Sequence, residues 1–296
     1  MPDTDSEDLE IGEFVRTLKA RHGYDFAQYA PASFKRRVRA LRARSGVESI
    51  AALSRRLVEE PLFLRQVLAG LSVPVSEMFR DPWVFELLRR EVLPVLASYP
   101  RIHIWQAGCA HGEEVYSLAI LLEEAGLYEK TQIFATDLND VALEEAAEGI
   151  YPAAGAALYA QNYLRAGGRR SLSHYFHARY ERIRFDRSLV RNVTFANHNL
   201  GTDGVFAEVQ LILCRNVLIY FNDAMQDRVL RLFRDSLVHK GYLCLGTKET
   251  LAHPTVEPDV DTGDAAAKLY RRSGRQCCRD TPGWWRSAPR SAGWRR

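Results

Sequence analysis

A chain of 296 residues that is 47% hydrophobic can bury one large core and a smaller companion unit. Charged residues make up 26% and the net charge is only +3, too little to argue for nucleic acid, so no nucleic-acid partner is expected. No window approaches ~18 consecutive apolar residues, the opening MPDTDSEDLE is acidic where a secretory signal is basic, and the cysteines at 109, 214, 244, 277 and 278 lack metal-ligand spacing. A cytoplasmic protein without a metal or membrane insertion is expected.

Residues 1–75 read as an all-helical unit. Ile11, Phe14, Val15 and Leu18 follow the i, i+3, i+4, i+7 pattern of one buried helix face. A second helix begins near Pro31 and carries Phe34, Val38 and Leu41 on one stripe; apolar-periodic segments follow at Ile50–Leu57 and Leu62–Leu71. The second helix is strongly basic. No Asp or Glu lies between Asp25 and Glu48, whereas Lys35, Arg36, Arg37, Arg39, Arg42 and Arg44 all do. At 100° per residue Lys35, Arg39 and Arg42 form a stripe beside the apolar one. Such a run suits an acidic partner, a solvated face or a nucleic-acid patch.

From residue 101 the pattern alternates between strands and helices. Ile102–Ala107 reads as a strand, Tyr116–Ala125 as a helix, Gln132–Thr136 as a strand and Val141–Ala147 as a helix. Val209–Cys214 is a near-continuous apolar strand, followed by a helix through Met225–Leu237 and a strand at Tyr242–Leu245. This alternation argues for a mainly parallel sheet with helices on both faces. Between them, Arg182–Phe185 and Asn192–Phe195 read as short strands of a small β-subdomain at about 152–195, so the second domain spans 76–272 with that insertion. The segment 273–296, rich in Arg, Gly, Pro and Ser, reads as a disordered tail.

Three strand ends carry unusual chemistry, where open α/β sheets bind ligands. The first runs into Gly108-Cys-Ala-His-Gly112-Glu113-Glu114. Its glycines allow close backbone approach, but it has one G-x-x-x-G in place of a dinucleotide fingerprint, and two carboxylates that repel phosphate. A sulfonium or ammonium group, as in S-adenosyl-L-methionine, fits better; the acids equally suit a helix N-terminus. The second ends in Asp137, a candidate ribose ligand or an N-cap. The third ends in Arg215-Asn216, which are badly suited to packing after an all-apolar strand.

With these residues in view, the chain from about 8 to 272 resembles the chemotaxis-receptor glutamate O-methyltransferases of the CheR type. The resemblance rests on LSVPVSEMFRDP (71–82), IWQAGCAHGEEVYS (104–117), ATD (135–137), GIY (149–151), NHNL (197–200), CRNVLIYF (214–221) and GYLCLG (241–246). It implies a Rossmann-like class I methyltransferase domain behind the helical unit, S-adenosyl-L-methionine as cofactor and S-adenosyl-L-homocysteine as product. By the same resemblance Arg80, with Ser76 nearby, faces the methionine carboxylate, Glu113 or Glu114 takes the amino group (Glu114 being favoured), and Asp137 takes the ribose. Gly108 belongs to the glycine loop, Asn199 and Leu200 lie near adenine, Arg215 and Asn216 flank methionine and acceptor, and Tyr220 lines the transfer site. Arg80, Arg215 and Tyr220 are thus the expected catalytic group.

The acceptor implied is a glutamate on the cytoplasmic helices of a methyl-accepting receptor, docked by Lys35, Arg36, Arg39 and Arg42, with the enzyme a monomer. Pro74 replaces the usual Asn, His111 a small residue and Lys248 a Ser. Pro74 and His111 keep an alternative open, a regulatory or scaffold protein that binds cofactor or product with little turnover.

Overall fold

Residues 4–73, 75–251 and 260–273 are described by the computed structural model. The N-terminal periodicities form four helices: α1 (Thr4–His22), α2 (Pro31–Ser45), α3 (Ile50–Glu59) and α4 (Phe63–Leu71). They close over a core of their own that includes Phe14, Leu18, Phe34, Val38, Leu53 and Phe63. Pro31 opens α2, where its missing N–H costs nothing, and left-handed Gly46 ends it.

The second unit opens with a helix that periodicity did not announce. It runs through α5 (Pro82–Leu87), a π turn at Leu88–Val92 and α6 (Leu93–Leu96). Pro94 lacks the N–H that an α turn would require there, and the ladder widens just before it. There follow β1 (Ile102–Ala107), α7 (Glu113–Glu124), β2 (Thr131–Asp137), α8 (Asp140–Glu148), β3 (Ile150–Pro152), α9 (Ala156–Arg165), β4 (Phe176–Arg179), β5 (Arg182–Phe185), β6 (Val193–Asn197), β7 (Val209–Cys214), α10 (Asp223–Ser236), β8 (Leu237–Leu245), β9 (Val260–Asp264) and β10 (Leu269–Arg272).

The main sheet has the order β6-β2-β1-β7-β8-β10-β9. Its first five strands are parallel; β10 runs antiparallel to β8, and β9 pairs antiparallel with β10. This is the expected Rossmann-like class I arrangement behind an all-α unit. β1 lies at the middle of the five parallel strands, between β2 and β7, so the ends of these three are neighbours and their loops share one edge.

Two sequence expectations are corrected by the strand pairing. The strand read at Asn192–Phe195 forms, but as edge strand β6 of the main sheet, in register with Ile133–Asp137. Val193 and Phe195 pack on the central core, which draws the strand away from the small sheet. That sheet consists of β3, β5 and β4 and ends at Phe185. The helix expected to include Leu237 stops at Ser236, and β8 begins immediately. The short polar strands β9 and β10 also carry no apolar alternation that would have announced them.

The buried carboxylate of Glu124 anchors the small sheet and α9 to the body. It accepts bonds from Arg89 Nη2 (2.7 Å), Tyr163 Oη (2.5 Å) and Tyr175 Oη (3.3 Å). Burial pulls its pKa up, but the Tyr163 and Arg89 bonds outweigh that and hold it below its ordinary value. No helix among the described residues is long and apolar enough to cross a membrane. The expected tail lies outside the described residues except for Ser273.

Candidate active site

The loops after β1, β2, β6 and β7 surround a cleft enclosing about 1010 Å³, its open mouth included, and the helical unit closes one side with Phe26, Tyr29, Arg37 and Ser72.

The floor is the loop after β1. Gly108 has φ +72, and a Cβ there would lie 2.5 Å from Val217 Cγ2. The backbone N–H groups of Gly108 and Cys109 both donate to Thr136 O, at 2.8 and 2.9 Å. Gly112, at φ +91, caps α7, and a Cβ would sit 2.7 Å from Ala146 Cβ. Both positions exclude larger residues, which explains the G-x-x-x-G spacing.

The two acids after Gly112 part company. Glu114 lines the cleft. It accepts from Gln106 Nε2 at 2.8 Å and from Arg215 Nη1 at 2.6 Å. Glu113 turns to Ser76, whose hydroxyl donates to it, and is absent from the cleft lining. Ser76 itself lines the cleft.

Arg215 is the most enclosed charge at the site, its side chain 1% exposed. It binds Glu114, Asp81 Oδ2 at 2.6 Å and the carbonyl of Arg80 at 3.0 Å. Burial works against its guanidinium, yet Glu114 and Asp81 outweigh it and the pKa lies above the ordinary value. Two of these partners, Glu114 and Arg80, line the cleft, and Asp81 adjoins Arg80, so Arg215 acts through them. Arg80 sits between two left-handed residues, Phe79 (φ 50) and Asp81 (φ 54). Such backbone persists only where its surroundings hold it; here Phe79 packs against Phe85 and Tyr163, and Asp81 is held by Arg215. The Arg80 side chain lines the cleft, and no ion pair engages it among the described residues.

Asp137 closes the end of β2. Its Oδ1 accepts from Asn139 N–H and its Oδ2 from Ala110 N–H, both at 2.9 Å. Burial raises its pKa against those bonds. One lone pair on each oxygen is still available, so two ribose hydroxyls fit. Asp137→Asn must turn an amide against one of the two N–H donors; the expected result is product affinity about tenfold weaker by titration calorimetry with little change in melting temperature.

Asn199, Leu200, Asn216 and Tyr220 also line the cleft. The Asn216 Oδ1 is buried without a partner, an acceptor suited to a ligand's N–H or O–H.

Sequence reasoning missed the role of Arg37. It is 8% exposed and lines the cleft. It donates to Leu71 O at 2.6 Å and Ser33 Oγ at 2.8 Å, and its guanidinium lies 4.7 Å from the Tyr220 ring centre. Burial lowers its pKa, and no carboxylate pairs with it among the described residues. His198 was also unassigned; it lines the cleft edge-on to Trp105, and burial lowers its pKa.

The expected docking residues lie outside the cleft. Lys35 pairs with Asp8 at 2.6 Å, and Arg39 binds Glu7 through two bonds of 2.9 and 2.7 Å. Arg36 is exposed, and Arg42 reaches Glu7 only by its field. His111 is absent from the cleft lining, and its Nδ1 lies 2.7 Å from Glu145 Oε2. Lys248 is exposed on the turn after β8. Pro74 lies outside the described residues.

The described geometry suits a nucleoside joined to a zwitterion: hydrogen-bond acceptors at Asp137, an acidic wall at Glu114 and, at Arg80, a cation without an ion pair among the described residues. Comparison with known proteins identifies the family. Two family models match, the CheR methyltransferase all-alpha domain over residues 9–72 and the CheR methyltransferase SAM binding domain over 74–264. The Pseudomonas putida protein Cher3 is 47% identical over 90% of this chain and 97% of its own length. A chemotaxis protein methyltransferase of Listeria innocua is 30% identical over 81% of this chain and 90% of its own. Among solved structures, the N-methyltransferase NodS of Bradyrhizobium japonicum matches 68% of this chain and 90% of its own at 14% identity and a TM-score of 0.37, too distant to add weight. The chain belongs to the CheR family and is a methyltransferase dependent on S-adenosyl-L-methionine.

Proposed function

We propose that this protein methylates glutamate side chains on the cytoplasmic helices of methyl-accepting chemotaxis receptors, giving glutamate methyl esters and S-adenosyl-L-homocysteine. One observation carries the reading: two cations without carboxylate partners among the described residues, Arg80 and Arg37, line the same cleft. Arg37 is buried and Arg80 half-buried, and a buried charge is normally paired. The amino-acid end of the cofactor has one carboxylate and a glutamate acceptor has another, so the two cations match the two anions. Arg80 takes the first and Arg37, stacked on Tyr220, the second.

S-adenosyl-L-methionine supplies an electrophilic methyl group on a sulfonium that leaves readily. A glutamate side chain is already ionised at neutral pH, so the protein needs no base to create the nucleophile. Its work is alignment at roughly 3 Å, which can account for several kcal/mol of the barrier. Asp137 holds the ribose, Gly108 lets the chain approach, Glu114 faces the ammonium, and Asn199 and Leu200 border the adenine. Arg215 keeps Glu114 and Arg80 in place, while Ser76 and Asn216 flank the amino-acid end.

Lys35, Arg36, Arg39 and Arg42 steer the acidic helix. Exposed pairs such as Lys35–Asp8 and Arg39–Glu7 are worth only ~0–1 kcal/mol, so receptor carboxylates can exchange with them. A cytoplasmic, monomeric enzyme belongs to the same reading. His111 pairs with Glu145 and lends no support to a non-catalytic scaffold; Pro74, the other basis of that reading, lies outside the described residues.

The test is transfer of labelled methyl from the cofactor to a panel of receptor cytoplasmic fragments. Base-labile label on a glutamate-rich helix is the expected result. Base-stable label, or label on a small molecule or RNA alone, overturns the acceptor assignment.

A further inference from the structure

Beyond the cofactor wall, one buried carboxylate has no part in the roles above. Glu249 follows the turn after β8 and is 4% exposed. It accepts backbone N–H bonds from Gly246 (2.5 Å), Asn216 (3.0 Å), Leu218 (2.7 Å) and Ile219 (3.4 Å). Three of these donors belong to the loop after β7, outside its ladder. No cation pairs with it among the described residues, and burial pushes its pKa up against the four bonds. An uncompensated buried carboxylate is unfavourable on its own; here it engages three N–H groups of a loop that has no ladder partner for them.

That loop carries Asn216, left-handed at φ 61, and Tyr220. Its far end is held by the helical unit. Ala30 N–H donates to Tyr220 O and Asn222 N–H to Gln28 O, both at 2.9 Å, and Tyr29 meets Phe221 edge-on at 5.0 Å. Glu249 therefore grips one end of the Asn216–Tyr220 segment and residues 28–30 the other.

We propose that Glu249 is a positioning residue: its carboxylate sets the loop that aims Asn216 and Tyr220 into the cleft, so methyl transfer depends on a side chain that touches neither cofactor nor acceptor. The catalytic part of this inference rests on the function proposed above; the loop part does not.

The experiment pairs amide hydrogen exchange over residues 213–222 with methyl-transfer kinetics, in wild type and Glu249→Gln. In the wild type the Asn216, Leu218 and Ile219 amides are expected to be protected despite lying in a loop. Glu249→Gln keeps the shape but turns an NH2 against the donors. The segment should then exchange faster, kcat should fall about tenfold or more, and product affinity should fall by less than kcat.

Wild-type amides that exchange at unprotected rates overturn the inference, as does a variant with unchanged exchange or a kcat within about twofold of wild type. Should Glu249→Gln fail to fold, Gly246→Ala strains the same joint, because its Cβ would lie 2.7 Å from both Asn216 N and Glu249 Oε2; unchanged exchange there is equally fatal. If wild type methylates no receptor fragment, the acceptor reading has failed, and the exchange data still decide the clamp.

Discussion

Arg215→Met lowers the free energy of unfolding by about 3–5 kcal/mol and removes product binding over the accessible concentration range. Arg215 is held by two carboxylates and a carbonyl in a site where its side chain is 1% exposed. Without it, among the described residues, Glu114 keeps only the Gln106 bond and no cation offsets it or Asp81. Removing one member of a buried pair is far worse than never having built the pair. Asp81, left-handed at φ 54, also loses the contact that holds it, so Arg80 loses its aim. Denaturant unfolding and calorimetry with S-adenosyl-L-homocysteine measure the two effects. Arg215→Met combined with Glu114→Gln should recover part of the stability but none of the binding, because the variants share one network and do not add. A single variant as stable as wild type would remove the buried triad from the account of the cleft.

Much of the scaffold is written in short-range pattern. The runs Ile102–Ala107 and Val209–Cys214 could hardly be anything but central strands, and both sit near the middle of the sheet. Gly108, Asp137 and Arg215-Asn216 stood out because each breaks an apolar run at its end, where packing has no use for them. What could not be read is what depends on distant partners. The stripe Lys35/Arg39/Arg42 is legible from helix phase, but its engagement by Asp8 and Glu7 across α1 is not. The split between Glu113 and Glu114 depends on Ser76 and Arg215, far off in sequence. β6 illustrates the limit in another way: four or five residues of strand pattern do not name their partner, and a small sheet and a main-sheet edge compete for them on packing alone.

Arg37 was nevertheless readable. Phe34, Val38 and Leu41 define the buried stripe of α2, and residue 37 occupies the i+3 position of that same stripe. A cation on the apolar face of a helix, three residues after Phe34, cannot be a solvated charge. Treating the basic run as one surface hid it. The four inward residues are buried together in the fold, and the Arg37 guanidinium emerges into the cleft, not into solvent.

That burial separates the two unpaired cations by experiment. Arg37→Met is expected to reduce kcat/KM for receptor fragments about 100-fold while leaving product affinity within about threefold, since an acceptor carboxylate brought beside Tyr220 would meet no opposite charge, a loss of about 2–5 kcal/mol. Arg80→Met should behave in the opposite sense and weaken S-adenosyl-L-homocysteine about 10- to 100-fold, the range of a charge-assisted bond. Methylthioadenosine, which lacks the amino-acid carboxylate, sharpens the contrast: its affinity should not change in Arg80→Met if that side chain binds the carboxylate. Arg37→Lys tests whether charge alone suffices. Lysine keeps the charge but loses the planar stack on Tyr220 and the two-pronged bond to Leu71 O and Ser33 Oγ, so only partial recovery is expected. If Arg37→Met weakens the product and spares the receptor, the helical unit belongs to the cofactor pocket, and the acceptor must be held by Arg80 instead. The two outcomes cannot both hold, because each cation has one carboxylate to meet.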